Sequence, residues 1–365
     1  MENSNELSPF NGGRQDPRLE VEKARDYQHD DIGRIFAGGP IVQWVVKDKV
    51  LWPFYDKRNQ VYSFSCMMQS GCKMLGIENK LVDGTFLTLS ARNGYWSRSN
   101  RPEGGMFLQE ALSFLCQAKQ CLESQLPSQG MSENEMNQPF VWTSEMEASA
   151  TQAMANGYFF INTNRFDTIP TLLSQGKGVQ IMLYFLNSEY AQPIPKITNP
   201  NLKIGDPSVC AHGVCVTDYF ILNGERGFLI EDSAGNESSM DQKGWRFITE
   251  SFFNARCFGS GYVIKMKYDP TLKPKHHFSK VLTFGTTNDP EVAALQIMLQ
   301  YEKFLPTEVD GKPLPLGNFK QMTAKALRKW QMAHGIQDFA KNYSVTDIRF
   351  GNKSIAKANE LYDDK

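Results

Sequence analysis

The sequence predicts an α+β protein with two domains of unequal size. A chain of 365 residues is longer than one ordinary domain. Between about residues 39 and 267, helical patterns come first and strand patterns later, which favours α+β architecture over alternating βαβ units. A separate group of helical patterns follows after residue 288. With 41% hydrophobic residues, the chain can bury a substantial core.

The charge balance excludes several classes of partner. Lysine and arginine number 39 and aspartate and glutamate 40, so there is no electrostatic reason to expect nucleic acid or an anionic membrane. No apolar run approaches the roughly 20 residues of a membrane helix. Cysteine spacings such as Cys116 to Cys121 and Cys210 to Cys215 do not match a zinc site, and we expect neither metal nor cofactor. Seven cysteines leave at least one thiol unpaired, and disulfides stay open.

Residues 1–37 are polar and charged and predict a loosely held N-terminal arm. The first residues lack the basic and apolar regions of a secretory signal peptide. We therefore expect a protein that is cytoplasmic, associated with a virion or released by cell lysis.

Residues 38–267 are predicted to form the larger domain. Its strongest turn signal is Asn223-Gly224, which lies between two apolar strands and is typical of a hairpin. Helices are expected at 66–76, 106–119 and 167–175, and strands at 178–186, 213–222 and 227–235.

Residues 268–288 contain prolines and no clear period, and they are interpreted as a linker. Residues 289–365 are predicted to form a small three-helix domain. An i, i+3, i+4 apolar stripe begins at Val292, and a second helix has Thr323 as its expected N-cap and Gly335 as its C-cap. A third helix is expected near Ser354.

One cysteine is a candidate nucleophile. Cys66 begins a helical pattern, so the helix dipole would favour the thiolate that attacks a carbonyl. Of the five histidines, His212 is the one at the mouth of an apolar strand pair. Asp232 ends the second strand of that hairpin, where antiparallel pairing can bring it beside His212. Gln60, six positions before Cys66, is placed to steady an oxyanion.

Residues 38 to about 265 resemble the papain family of cysteine peptidases in several ordered motifs. The matching stretches are PIVQWVVKDKVLWPFYDKRNQVYSFSC, LTLSARNG, EGGMFLQEALSFL, AHGVCVTDYF and LIEDSAG. The resemblance implies a two-lobed cysteine peptidase fold. It also implies Cys66 as nucleophile, His212 as acid and base, Asp232 as the group that orients it, and Gln60 in the oxyanion hole. Gly104, Gly105 and Ala211 would lie along the substrate backbone.

The sequence departs from the family's pattern in four places. Between Gln60 and the nucleophile, Val61-Tyr62-Ser63-Phe64 replaces Gly-Ser-Cys, so the disulfide usual there is missing. Met67 replaces the usual tryptophan after the nucleophile, Asp232 replaces asparagine, and Ala234 replaces the tryptophan that shields it. An aspartate can still orient the histidine, and its charge should favour the imidazolium. The missing tryptophan predicts a wetter hydrogen bond between His212 and Asp232.

Plainer interpretations stay open for each residue. Cys66 would be an inert core thiol, His212 a structural histidine, Asp232 an ordinary turn residue and Gly104-Gly105 a loop break. At the level of the whole chain, the alternatives are an inactive papain-fold component, for instance of a virion, and an amidase using the same residues.

Residues 289–365 resemble the peptidoglycan-binding-like domain. The matching positions are Val292, Leu295-Gln296, Leu299, Asp310-Gly311, Gly317, Thr323, Ala326-Leu327, Trp330-Gln331 and Gly335. Together the two resemblances imply a phage or bacterial cysteine endopeptidase that acts on a protein or peptide substrate. The second domain implies peptidoglycan as a further partner, and protein docking or a purely structural role stays open as the alternative for this domain.

Overall fold

The computed structural model describes residues 12–15, 44–46, 57–117, 120–161, 166–174, 176–234, 244–265, 273–274, 276–286, 289–309, 312–314, 316–336 and 344–362. The described residues up to Lys265 form one compact unit, and those from Lys273 onward form a second. Among the described helices, none is both long enough and apolar enough to cross a membrane.

The first unit is built around a six-stranded antiparallel sheet in the order β3-β8-β4-β5-β6-β7. The strands of this unit are β1 (Gly13–Arg14), β2 (Met106–Phe107), β3 (Gly157–Phe160), β4 (Val179–Leu186), β5 (Val209–Leu222), β6 (Glu225–Glu231), β7 (Trp245–Thr249) and β8 (Cys257–Ile264). Asn223 and Gly224 join β5 to β6 with φ of 53° and 82°, the left-handed pair that a tight hairpin requires.

Helices precede most of the sheet in the chain, which confirms the α+β prediction. The helices are α1 (Cys66–Asp83), α2 (Arg92–Trp96), α3 (Leu108–Leu115), α4 (Glu133–Met136), α5 (Ser144–Ala153), α6 (Thr168–Ser174), α7 (Asn187–Tyr190) and α8 (Glu250–Arg256). Residues 66–79 of α1 are buried throughout, so this helix forms the centre of the unit and packs on β5.

Two helix predictions were wrong in their bounds. Helix α1 continues to Asp83, seven residues beyond the expected end, and stops where Gly84 takes a φ of 77° and donates to the Lys80 carbonyl. The helix expected from Met106 begins only at Leu108. Its first two residues instead form β2, because the Met106 N–H donates to the Gly12 carbonyl at 2.9 Å.

The second unit packs three helices, α9 (Pro290–Tyr301), α10 (Gln321–Ala333) and α11 (Asn352–Tyr362), around buried Trp330 and Leu295. Its short strands are β9 (Leu282–Thr283), β10 (Glu308–Val309), β11 (Lys312–Pro313) and β12 (Arg349–Phe350), and a 3₁₀ turn spans Val345–Asp347.

Two details of this unit differ from expectation. Residues 276–286 were expected in a linker, but Phe278 and Leu282 are buried in the core of the unit and β9 pairs with β12. Thr323 is not the N-cap of α10, which is Lys320. Thr323 lies within the helix, where its hydroxyl accepts from the Gln296 amide at 3.0 Å and donates to the Asn318 carbonyl.

A buried ion pair ties α1 to the sheet. Lys73 Nζ lies 2.5 Å from Glu231 Oε2, and their side chains are 0% and 1% exposed. The second Glu231 oxygen accepts from the Arg58 N–H at 2.9 Å. Since Glu231 ends β6 immediately before Asp232, this pair also fixes the approach to the candidate site.

Lys73→Met should lower the free energy of unfolding of the first unit by about 3 to 5 kcal/mol, because Glu231 then keeps a buried charge without its cation. Adding Glu231→Gln should recover part of this loss, since a glutamine oxygen can still accept from Arg58. Urea unfolding followed by hydrogen exchange of β5 amides measures both. Asp167→Asn, which breaks an exposed pair with Arg226, is the control and should cost less than about 1 kcal/mol. Equal losses for Lys73→Met and Asp167→Asn would contradict the assignment.

Candidate active site

Cys66 is the first residue of α1, so its sulfur lies at the positive end of a fully formed helix. The sulfur accepts a hydrogen bond from the Gly213 N–H at 3.3 Å. Gly213 belongs to β5, and β5 approaches α1 so closely there that a side chain on Gly213 would collide with Met67. The absence of a side chain at Gly213 therefore brings the strand that carries His212 against the cysteine.

The structure brings His212 and Asp232 together, as the hairpin register predicts. His212 Nε2 lies 2.9 Å from Asp232 Oδ1, and both side chains are 0% exposed. The Ala234 N–H donates to the same Asp232 oxygen at 2.9 Å. Because Nε2 faces the carboxylate, Nδ1 is the nitrogen available to the Cys66 thiol.

The charges of this group support an imidazolium. Burial opposes a charged His212, but the Asp232 carboxylate and the Cys66 sulfur outweigh it and raise the pKa of His212 to about 9. Burial likewise opposes a charged Asp232, but His212 and Arg246 lower its pKa to about 2. A buried acid and base that shift each other in opposite directions are typical of a functional site.

Gln60 is held in place from the segment that carries Asp232. The Ser233 hydroxyl donates to Gln60 Oε1 at 2.7 Å, and the Gln60 N–H donates to the Ser233 carbonyl at 2.8 Å. The Gln60 side-chain amide donates to the Ser63 carbonyl at 3.0 Å, and a primary amide carries a second N–H. Gln60, His212 and Asp232 therefore share one rigid support.

The predicted substrate positions surround residues 12–15 of the N-terminal arm. Strand β1 pairs in parallel with β2, and Arg14 Nε donates to the Gly104 carbonyl at 2.8 Å. Gly105 has a φ of 84°, and a side chain there would collide with Arg14. On the opposite side, a Cβ on Gly13 would lie 3.1 Å from the Ala211 carbonyl.

Gly12 covers the candidate nucleophile. A Cβ built on Gly12 would lie 2.5 Å from Cys66 Sγ, which no real side chain allows. Cys66 is accordingly 0% exposed. Residues 12–14 thus pass between Gly104-Gly105 and Ala211, with Gly12 directly against the sulfur.

The expectation of a wet bond between His212 and Asp232 was wrong. Tyr190 lies edge-on to the His212 ring at 5.9 Å between centroids, and it is itself 0% exposed. Arg246 Nε donates to Asp232 Oδ2 at 2.7 Å. These two residues exclude water where Ala234 cannot.

Sequence reasoning missed Arg14, Tyr190 and Arg246. Arg246 carried a usable signal, since an arginine inside the apolar run WRFIT is expensive to bury without an anion. Tyr190 carried none, because it lies on the short helix α7, far in sequence from both His212 and Asp232.

The seven cysteines are all within the described residues and none forms a disulfide. Burial raises the pKa of Cys72 to about 12. Near neutral pH this thiol should therefore react slowly with alkylating reagents.

One solved structure with the same architecture identifies the fold of the first unit. Xylellain, a cysteine protease from Xylella fastidiosa, superposes with a TM-score of 0.54 over 71% of this chain and 97% of its own, at 13% identity. The first unit has the papain-like fold. Bromelain from Ananas comosus, solved in complex with the E64 inhibitor, matches 58% of this chain and 94% of its own with a TM-score of 0.43 and 16% identity. Among curated protein sequences, none matches this chain.

A protein-family model matches part of the second unit. The model of the "Putative peptidoglycan binding domain" family matches residues 288–338, which include α9 and α10. The papain-like unit is therefore followed by a helical peptidoglycan-binding-type domain, as the sequence resemblance implied.

Gly12→Leu should expose Cys66 by displacing residues 12–15 from the cleft. An overpacked contact should destabilise the covered state of Cys66 by about 1 to 3 kcal/mol. Since 1.4 kcal/mol changes an equilibrium constant tenfold, the uncovered fraction and the rate of Cys66 alkylation by iodoacetamide at pH 7 should rise about tenfold. Peptide mapping by mass spectrometry assigns the modified cysteine. Gln15→Ala, at an exposed position of the same segment, is the control and should leave the rate unchanged. Wild-type labelling kinetics in the Gly12→Leu variant would show that the arm does not protect the sulfur.

Proposed function

We propose that the papain-like unit is a cysteine peptidase that hydrolyses peptide bonds through Cys66, His212 and Asp232. The observation that carries this proposal is the dry 2.9 Å bond between His212 and Asp232, placed beside a cysteine at a helix N-terminus. This arrangement supplies a nucleophile, a base and a group that orients the base.

In the proposed reaction, the Cys66 thiolate attacks the carbonyl carbon and the carbonyl electron pair moves to oxygen. The Gln60 side-chain amide and the Cys66 backbone N–H donate to this oxyanion. The C–N bond then breaks as His212 gives its Nδ1 proton to the leaving amine, which leaves a thioester. Water attacks the thioester and gives its proton to His212, and the Cys66 thiolate departs.

The substrate is proposed to be a protein, or the peptide stems or cross-bridges of peptidoglycan. The glycine pair Gly104-Gly105 supports a peptide substrate, because the chain segment that lies beside it here is itself an extended peptide. The match of residues 288–338 to a peptidoglycan-binding family supports a role of the second unit in bringing the enzyme to cell wall.

A second candidate function is an inactive papain-like unit used for binding or assembly. Its supporting observation is that Cys66 is 0% exposed with Gly12 against the sulfur. Peptidase activity in the Gly12→Leu variant, absent when Cys66 is also replaced, separates a covered enzyme from an inactive one.

Hydrolysis of a fluorogenic peptide library by the Gly12→Leu chain should fall by about 10³-fold or more with Cys66→Ala or His212→Ala added. Cys116→Ala, which removes a thiol outside the site, should leave the rate unchanged. A rate that survives Cys66→Ala would contradict the proposed nucleophile.

The kcat/KM of the Gly12→Leu chain should decline as pH rises through about 9. The raised pKa keeps His212 protonated up to that pH, and the leaving amine needs its proton. Alkylation of Cys66 needs no proton donor and should not decline over the same range. An alkaline limb near pH 6.5, the ordinary histidine value, would contradict the coupling of His212 to Asp232.

The full chain with Cys66→Ala should sediment with purified peptidoglycan sacculi, and soluble muropeptides should compete. The Cys66→Ala substitution prevents digestion of the sacculi during the assay. A chain ending at Lys265 that keeps the circular dichroism expected of the first unit is the comparison and should stay in solution. Equal sedimentation of both chains would assign wall binding to the papain-like unit instead.

A further inference from the structure

Both carboxylate oxygens of Asp232 accept hydrogen bonds, one from a histidine and a backbone N–H and the other from a guanidinium. Oδ1 accepts from His212 and from the Ala234 N–H, each at 2.9 Å. Oδ2 accepts from Arg246 Nε at 2.7 Å, in an ion pair whose side chains are 0% and 1% exposed. The carboxylate therefore lies between two cationic side chains, and all three side chains are buried.

Arg246 is itself rigidly held. Its Nη1 donates to the Gln192 carbonyl at 2.9 Å, and its guanidinium lies 4.5 Å from the centre of the Tyr190 ring. Tyr190 stacks on Phe185 with centroids 4.0 Å apart and an interplanar angle of 2°. The ring of Tyr190 thus contacts both His212 and Arg246 and fixes the distance between them.

We propose that Arg246 is a positioning residue for the peptidase reaction, which keeps Asp232 ionised and offsets part of its charge toward His212. The Asp232–Arg246 pair then presents to His212 a hydrogen-bond acceptor with a smaller net negative charge than a lone carboxylate would have. This inference rests on the proposed function, because it assigns Arg246 a role in the cycle of His212.

Burial makes the charge of Asp232 depend on a neighbouring cation. A carboxylate at 0% exposure either loses its charge or requires a cation, since an unpaired buried charge is expensive. With His212 as its one cation, Asp232 would bind the imidazolium strongly and oppose release of the proton to the leaving amine. With Arg246 present, Asp232 stays charged while His212 gains and loses its proton.

Other ionisable groups near Asp232 do not replace Arg246. The Tyr190 hydroxyl is neutral at physiological pH, since burial raises its pKa. Glu231 is paired with Lys73. Lys57 interacts with Asp232 from a partly exposed position, and burial lowers the pKa of its ammonium. The Cys66 sulfur faces His212 on the side away from Asp232.

The test compares four substitutions in the Gly12→Leu chain: Arg246→Gln, Arg246→Lys, Asp232→Asn and the double variant Asp232→Asn/Arg246→Gln. Each folded variant is identified by its circular dichroism and melting temperature. The readouts are the rate of Cys66 alkylation and kcat/KM, each measured up to pH 10.5 from about pH 2 or from the lowest pH at which the variant stays folded, because the acid limb of Asp232 lies near its low pKa.

Arg246→Gln should move the acid limb of both profiles upward by about one pH unit or more, because Asp232 then takes up a proton more easily. Arg246→Lys keeps the positive charge, so its acid limb should lie close to that of the parent Gly12→Leu chain. Asp232→Asn alone leaves a buried guanidinium beside His212, so the alkaline limb of kcat/KM should fall by about one pH unit or more. In the double variant, the acid limb and the alkaline limb should both return toward their positions in the parent chain.

The double variant decides the outcome. The proposal is wrong if the pH limbs of the double variant are shifted from those of the parent chain as far as the limbs of either single variant. It is also wrong if Arg246→Gln leaves the acid limb unchanged. If Arg246→Gln does not fold, the comparison of Asp232→Asn with the double variant still decides, since equal alkaline limbs would overturn the proposal.

A separate readout distinguishes this proposal from the proposed function. Carbon-13 NMR of the Asp232 carboxyl in a Cys66→Ala chain follows its titration without any catalysis. An upward shift of that titration in Arg246→Gln, together with no peptidase activity in the Gly12→Leu chain, would retain the charge pairing and reject the enzyme. Activity without such a shift would retain the enzyme and reject the role of Arg246.

Discussion

The hydrogen bond between His212 and Asp232 is the constraint on which the rest of the papain-like unit depends. Asp232 receives it only because the segment 232–234 is fixed on every side. The Asp232 N–H donates to the Gly244 carbonyl at 2.7 Å, and Ser233 holds Gln60. The buried Lys73–Glu231 pair fixes the preceding residue. A change in any of these supports would therefore move the candidate oxyanion donor and the histidine together.

The same rigidity explains the glycines of the cleft. Cys66 on α1 and His212 on β5 can be neighbours only if no side chain separates the helix from the strand. Gly213 has no side chain, and one at this position would collide with Met67. The cleft this creates is narrow enough that Gly12 and Gly13 pass along it only because they lack side chains. The narrow cleft thus accommodates residues 12–15 because two of them are glycines, and Arg14 holds the segment there by donating a hydrogen bond to the Gly104 carbonyl.

Much of this site could be predicted from sequence, and the limits have physical causes. Cys66, Gln60, His212 and Asp232 were accessible because local pattern and hairpin register bring them together. The strand at Met106 was not accessible, because it forms by pairing with the distant arm. Tyr190 and Arg246 were likewise missed, and the bond they keep dry was expected to be wet. Their contacts with His212 and Asp232 arise from tertiary packing, which periodicity does not encode.

The pairing of Asp232 with Arg246 also bears on the aspartate at a position where the resemblance to the papain family implies an asparagine. Replacing an amide by a carboxylate adds one buried negative charge beside a histidine that must change its own charge. A guanidinium on the opposite oxygen removes that added charge, while Nε retains a directional hydrogen bond. Either change alone leaves a buried charge with one partner fewer, which is expensive at a position without solvent exposure. The arginine within the apolar strand β7 is therefore best understood together with Asp232.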